Sequence, residues 1–279
     1  MKRTPQSIVD FHVHLFPDKG FDAIWNVFRS YGVEVVYRYY SGQCIDYLSR
    51  QGVGAIVFSN YAHKKGIAET MNQWNVALLD RHPNLYCFAS YHPDDDNGLQ
   101  YAAQVLSHPR VIGIKLHCLV QRVYPHDERL FPLYEMIVAQ KKRLLLHVGT
   151  GPMGNEFVGV AHFKKVLRRF PDLPANVAHM GGLEFQAFIA LLDDHPHLYL
   201  DTAYTFWPGL PFTFNLGKDV LEKYRRRILY GSDFPNVILP REGEIDYLLQ
   251  LDLSDEFYER IFYVNAMELL NRDERAGLW

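Results

Sequence analysis

Short apolar runs alternate along this chain with longer segments whose apolar residues recur at helical spacing. The runs at 8–12, 53–59, 85–90, 111–116, 143–148, 176–179, 198–201 and 228–231 read as strands. Segments at 130–140, 159–170, 183–192 and 220–226 read as helices. Strands alternating with helices in this way predict an α/β protein with a parallel sheet closed as a (β/α)8 TIM barrel. A doubly wound open sheet is the structural alternative, but no Gly-rich nucleotide loop follows the first run to favour it.

No Ser/Gly linker, low-complexity stretch or repeat divides the chain, so residues 1–279 read as a single domain. Two connections are long and aromatic. The first, 15–41, follows the first strand and carries Phe16, Phe21, Trp25, Phe28, Tyr31, Tyr37, Tyr39 and Tyr40. The second, 203–217, follows the seventh and carries Tyr204, Phe206, Trp207, Phe212 and Phe214. Both leave the carboxyl ends of strands, where barrel enzymes build active sites. Together they read as walls or a lid of an apolar pocket, with Trp207 placed to contact substrate.

Composition narrows the class. At 279 residues and 48% hydrophobic, the chain can bury a substantial core. The net charge of −3 and the lack of a dense Lys/Arg stripe argue against a nucleic-acid partner. The basic run Arg225-Arg226-Arg227 reads as a solvated helix end. Cys44, Cys87 and Cys118 are widely spaced and form no C-x-x-C, so no disulfide framework is expected. Met1–Pro5 lacks the apolar stretch of a signal peptide, and no run approaches the roughly 18 apolar residues of a membrane span. The expectation is a cytoplasmic protein with no membrane partner, compatible with a homo-oligomer.

Polar residues at strand ends carry the chemistry. In Asp10-Phe11-His12-Val13-His14 the two histidines share one face of a strand, because the side-chain period is two. His147 closes the fifth run, His179 the sixth, and Asp233 follows the eighth. A lone histidine at a strand end is usually structural. Several around one axis, with a carboxylate, are costly to bury unless they bind something or one another. Neutral imidazole and carboxylate suit zinc, manganese or iron. His12, His14, His147 and Asp233 form the expected ligand set, with His179 a further ligand or a nearby acid/base. Lys115 and His117 share strand parity and would face inward. They, with His92 after the third strand and His63 after the second, are candidate holders of an anionic substrate. Cys118 has no base–orienter pattern around it and is not read as a nucleophile.

The fragments Asp10–His14, Leu146-His147, Val177–Gly182 and Tyr230–Pro235, followed by Val264-Asn265-Ala266-Met267-Glu268-Leu269-Leu270, occur in the order seen in the amidohydrolase superfamily. The chain most resembles the branch that includes aminocarboxymuconate-semialdehyde decarboxylase and related metal-dependent hydrolases. That resemblance implies a distorted (β/α)8 barrel with one divalent metal, usually zinc. It assigns His12, His14, His147 and Asp233 as ligands. Asp233 would also take the proton from water, and His179 would polarise substrate or move a proton. Some amidohydrolases carry a carboxylated lysine on strand four that bridges two metals, a role open to Lys115, whereas the branch resembled here usually works with one metal. Cys118 stands where relatives often have proline after the histidine at 117.

Hydrolysis of a small carboxylate, lactone, ester or amide is the leading expectation, and non-oxidative decarboxylation of an unsaturated or aromatic acid is the alternative. A TatD-like nuclease would need an acidic ligand on strand four, where this chain has Lys115. A non-catalytic metal-binding barrel is the reading from another class.

Overall fold

In a computed structural model that describes residues 7–275, eight parallel strands run in simple sequential order. They are β1 (Ile8–His14), β2 (Val53–Ser59), β3 (Leu85–Ser90), β4 (Val111–His117), β5 (Arg143–His147), β6 (Ala175–Val177), β7 (Leu198–Asp201) and β8 (Ile228–Leu229). Each pairs in parallel with the next. Beyond β8 the backbone turns back onto β1. Phe11 N–H donates to Tyr230 O, Asp233 N–H to His12 O and His14 N–H to Phe234 O, each at 2.8 Å. The barrel is therefore nearly closed, and its seam lies beside the first histidine pair. The segment Met1–Pro5 lies outside the described residues.

The helices are α1 (Asp18–Ser30), α2 (Ser41–Arg50), α3 (Ala68–Arg81), α4 (Gly98–Leu106), α5 (Cys118–Gln121), α6 (Phe131–Ala139), α7 (Val160–Arg169), α8 (Phe185–Asp194), α9 (Lys218–Lys223), α10 (Arg241–Gln250), α11 (Asp255–Glu259) and α12 (Asn265–Arg275). Among the described residues, none is long and apolar enough to cross a membrane.

Side-chain alternation sorts the core into two layers. Ile56, Phe58, Leu144 and Leu146 pack outward with the helices. Val9, Phe11, Val57, Phe88, Ile112, Leu145, Tyr199 and Leu229 form a separate inner cluster with Ala266, Leu269 and Leu270 of α12. Full burial of each such side chain contributes about 1.5–3 kcal/mol. The inner layer leaves the carboxyl ends of the strands to polar groups. A register shift in β1 between Asp10 and Val13 changes the simple alternation. It lets Phe11 join the inner cluster while His12 and His14 still converge.

Two expectations need correction. The connection after β1 is not an aromatic loop throughout, because it contains α1. Phe21 and Trp25, four residues apart, are its buried positions, and Asp18 lies in its first turn. The aromatics therefore carry a helical period. Strand limits also shift. β6 stops at Val177 and β8 at Leu229, because the chain leaves strand geometry before His179 and Asp233, both at positive φ.

Candidate active site

His12, His14, Lys115, His147, His179, Asp201 and Asp233 are buried at the carboxyl ends of the strands or in the turns that follow. Two groups could each hold a metal ion: His12, His14 and Asp233, and His12, His179 and Asp201. Within each group the ligand atoms lie within 4.8 Å of one another.

Hydrogen bonds orient each ring. His12 Nδ1 lies 2.9 Å from Asp201 Oδ2, so its N–H points there and Nε2 keeps a lone pair. That Nε2 lies 3.3 Å from Asp233 Oδ1 and has no hydrogen-bond partner. His14 Nδ1 faces Ser59 O at 3.3 Å, which leaves its Nε2 facing the same Asp233 Oδ1 at 3.0 Å. His179 Nδ1 faces Ala203 O at 2.9 Å, so in the neutral ring Nε2 is an acceptor. His147 Nδ1, 3.2 Å away, then donates to it, and His147 Nε2 is left buried and unpartnered. The network thus assigns the tautomers of His12, His147 and His179 and leaves Nε2 of His12 and His147 without a partner, while His14 Nε2 pairs with Asp233 Oδ1.

Two of these residues sit in backbone that L-residues rarely adopt. His179 has φ 56° and Asp233 φ 59°. Such strain persists where packing enforces it, commonly at functional sites. At His179 the support is visible. Its N–H donates to Asp201 Oδ1 at 2.9 Å, and the following Gly181, at φ 83°, lies hard against Phe188.

Electrostatics favour neutral rings and one charged carboxylate. Burial, reinforced by Lys115 and neighbouring imidazoles, pushes His12, His117 and His147 well below the ordinary 6.5. Burial alone would raise Asp233, but His14 and His12 outweigh it and bring the carboxyl down to about 2. Burial lowers Lys115 to about 8, against the pull of Asp201 and Asp233. In metal-free protein, the ring ¹⁵N shifts of His12 and His147 are therefore expected to remain those of neutral imidazole as pH falls from 7.5 through 6.5. Protonation midpoints at or above 6.5 would remove the basis for neutral ligands.

The other candidates fall unevenly. His117 stacks on His147 with ring centroids 4.2 Å apart, and Lys115 is fully buried with no partner for Nζ. His92 is buried just after β3, where its Nδ1 accepts from Asp94 N–H. His63 is exposed, and Trp207 is buried against Gly243 of α10. Neither is drawn into the histidine cluster. Sequence reasoning missed Asp201, although a carboxylate closing an apolar strand is the same signal that exposed His147. It also missed Tyr61, whose ring meets those of His14 and His117 at 5.8 and 4.6 Å.

A nearly closed eight-stranded α/β barrel with its polar cluster at the strands' carboxyl ends defines an enzyme of the TIM-barrel type. Residues 9–272 match the amidohydrolase family, and the chain belongs to it. No curated protein matches it in sequence. Solved structures resemble it in fold. An uncharacterised TIM-barrel protein from Bordetella bronchiseptica superimposes with TM-score 0.74 at 18% identity, covering 96% of this chain and 100% of that one. A dihydroxybenzoic acid decarboxylase from Polaromonas sp. JS666, solved with manganese and the inhibitor 2-nitroresorcinol, gives 0.67 at 15%, covering 99% and 100%. The 4-oxalomesaconate hydratase from Rhodopseudomonas palustris gives 0.64 at 18%, covering 97% and 98%. At these identities the likeness concerns fold, and one fold carries many reactions.

Proposed function

We propose that the protein is a cytoplasmic metal-dependent hydrolase acting on a small carboxylate, lactone, ester or amide. One observation carries this reading. Nε2 of His12, which has no hydrogen-bond partner, and Nε2 of His14 converge on the same carboxylate oxygen of Asp233, at 3.3 and 3.0 Å. A His12 lone pair facing a carboxylate is repelled unless a cation or proton lies between them, and burial depresses His12 and so disfavours the proton. His12, His14, His147 and Asp233 would hold one divalent ion. Zinc is the first candidate, and manganese and iron also suit these donors. When bound, such an ion supplies Lewis acidity that polarises a carbonyl and lowers the pKa of water.

The chain's own groups do the rest. Asp233, held ionised, accepts the proton of the attacking water and returns it to the leaving group. His179, fixed through Ala203 and Asp201, stabilises developing charge or moves a proton. Asp201 orients His12. Lys115 supplies buried positive charge beneath the cluster, and His117 and His92 are placed to meet an anionic substrate group.

Decarboxylation is the second reading. The rings of Phe16 and Tyr61 beside His14 suit a planar acid, and the decarboxylase likeness spans nearly the whole chain. Removing metal with a chelator is expected to abolish turnover, and adding zinc or manganese to restore it. Carbon dioxide release from aromatic acids, set against ester and lactone hydrolysis, separates the two reactions. Turnover that survives metal depletion would sink both.

A further inference from the structure

Behind the metal-ligating face, a second polar cluster lies where β1, the turn after β8 and α10 meet. Asp10, Arg241 and Glu244 are each at most 1% exposed, and Tyr230 is fully buried. Asp10 Oδ1 accepts from Ser232 N–H at 3.0 Å and from His12 N–H at 3.4 Å. One carboxylate oxygen therefore ties the backbone of a proposed metal ligand on β1 to the residue before Asp233. Its other oxygen lies 3.6 Å from Arg241 Nη2, and the Arg241 guanidinium sits 5.5 Å from the Tyr230 ring centroid. Glu244 follows one turn along α10.

At strict hydrogen-bond geometry Asp10 Oδ2, Tyr230 Oη, Arg241 Nε and Nη2 and both oxygens of Glu244 are buried without a partner. Arg241 interacts with Tyr230, and the Phe206 N–H with Glu244, only at looser geometry. Buried polar atoms are rarely left this way, and ordered water is their usual partner when protein groups stand just too far apart. The charges select the occupant. Arg241 opposes a bound cation, and Asp10 and Glu244 oppose an anion, which leaves neutral water able both to donate and to accept.

We propose that Asp10, Tyr230, Arg241 and Glu244 enclose an internal water site, through which Arg241 and Glu244 act as positioning residues for the metal-bearing ends of β1 and β8. Arg241 and the water hold Asp10, and Asp10 holds His12 and Ser232 in register. This rests on the metal reading above. Partners one step beyond the ligands commonly change metal affinity about 10- to 100-fold when removed.

The test is competition titration with manganese or zinc, alongside thermal unfolding and a high-resolution crystal structure. Arg241→Met is expected to weaken metal binding by about 10- to 100-fold, and Arg241→Lys to restore most of it. Arg143→Met is the control. Arg143 is a buried arginine at the start of β5, away from the cluster, bonded to Asn176 Oδ1 and His197 O. It is expected to lower the unfolding temperature while leaving metal affinity unchanged. Should Arg241→Met fail to fold, Glu244→Leu is expected to weaken metal binding and Glu244→Gln to preserve it. The crystal structure is expected to show water within hydrogen-bond distance of both Glu244 and Arg241. Unchanged affinity in Arg241→Met or Glu244→Leu, equal loosening by Arg143→Met, or a dry cluster overturns the proposal while the metal reading stands. A native protein that binds neither ion overturns the metal reading, and this proposal with it.

Discussion

Asp233→Asn is expected to lower kcat/KM by about 10³-fold or more while leaving the protein folded. The carboxylate has two tasks in the proposed reaction, and asparagine performs neither. It cannot accept a proton, and its amide places a neutral oxygen or an NH2 group opposite Nε2 of His12 and His14. With the carboxyl at about 2, the native group is ionised at every working pH, so lowering the pH to 5 should not reproduce the defect. Metal content measured beside activity separates the tasks. Loss of both marks a ligand, and lost activity with retained metal marks the proton acceptor alone. His179→Asn should be similarly inactive but retain its metal, because in this network His179 Nε2 faces His147. Near-native turnover in either variant would refute the roles given to these residues.

Gly181→Ala is expected to be strongly destabilising. A Cβ there would lie 2.1 Å from Phe188 Cδ2, and φ of 83° is a conformation alanine adopts only with strain. Phe188 is fully buried on α8 and stacks on Phe163 of α7, so its ring has little room to yield. Overpacking and backbone strain together should cost about 3–5 kcal/mol, or roughly 5–9 °C in unfolding temperature for a chain this long. The same turn holds His179, so residual folded protein should also show reduced activity. An unfolding temperature within about 2 °C of native would mean the turn is looser than its packing implies.

How much of this was legible beforehand differs by element. The strands were readable because a barrel strand buried on both faces is a short apolar run, whatever its neighbours. His147 and Asp233 stood out because a polar group closing or following such a run needs a reason to be there. α1 was concealed by its composition, since aromatic residues at helical spacing also fit a packed loop. Asp201 was passed over because a single carboxylate at a strand end is common. Its meaning depends on His12 and His179, which are remote from it in sequence and 2.9 Å away in space.

The local pattern of apolar and polar residues by itself determined the alternating strands and helices, the amidohydrolase resemblance and the His12–His14 pair, because these depend on period and order along the chain. Tertiary structure decided the rest. Barrel closure at the β1–β8 seam brought Asp233 opposite His12 and His14, and left-handed backbone turned His179 toward His147. Packing against α10 placed Arg241 and Glu244 behind Asp10. Those relations set which ring nitrogens keep a lone pair and which carboxylate stays charged. Both follow from distance and burial, which become defined only when remote segments meet.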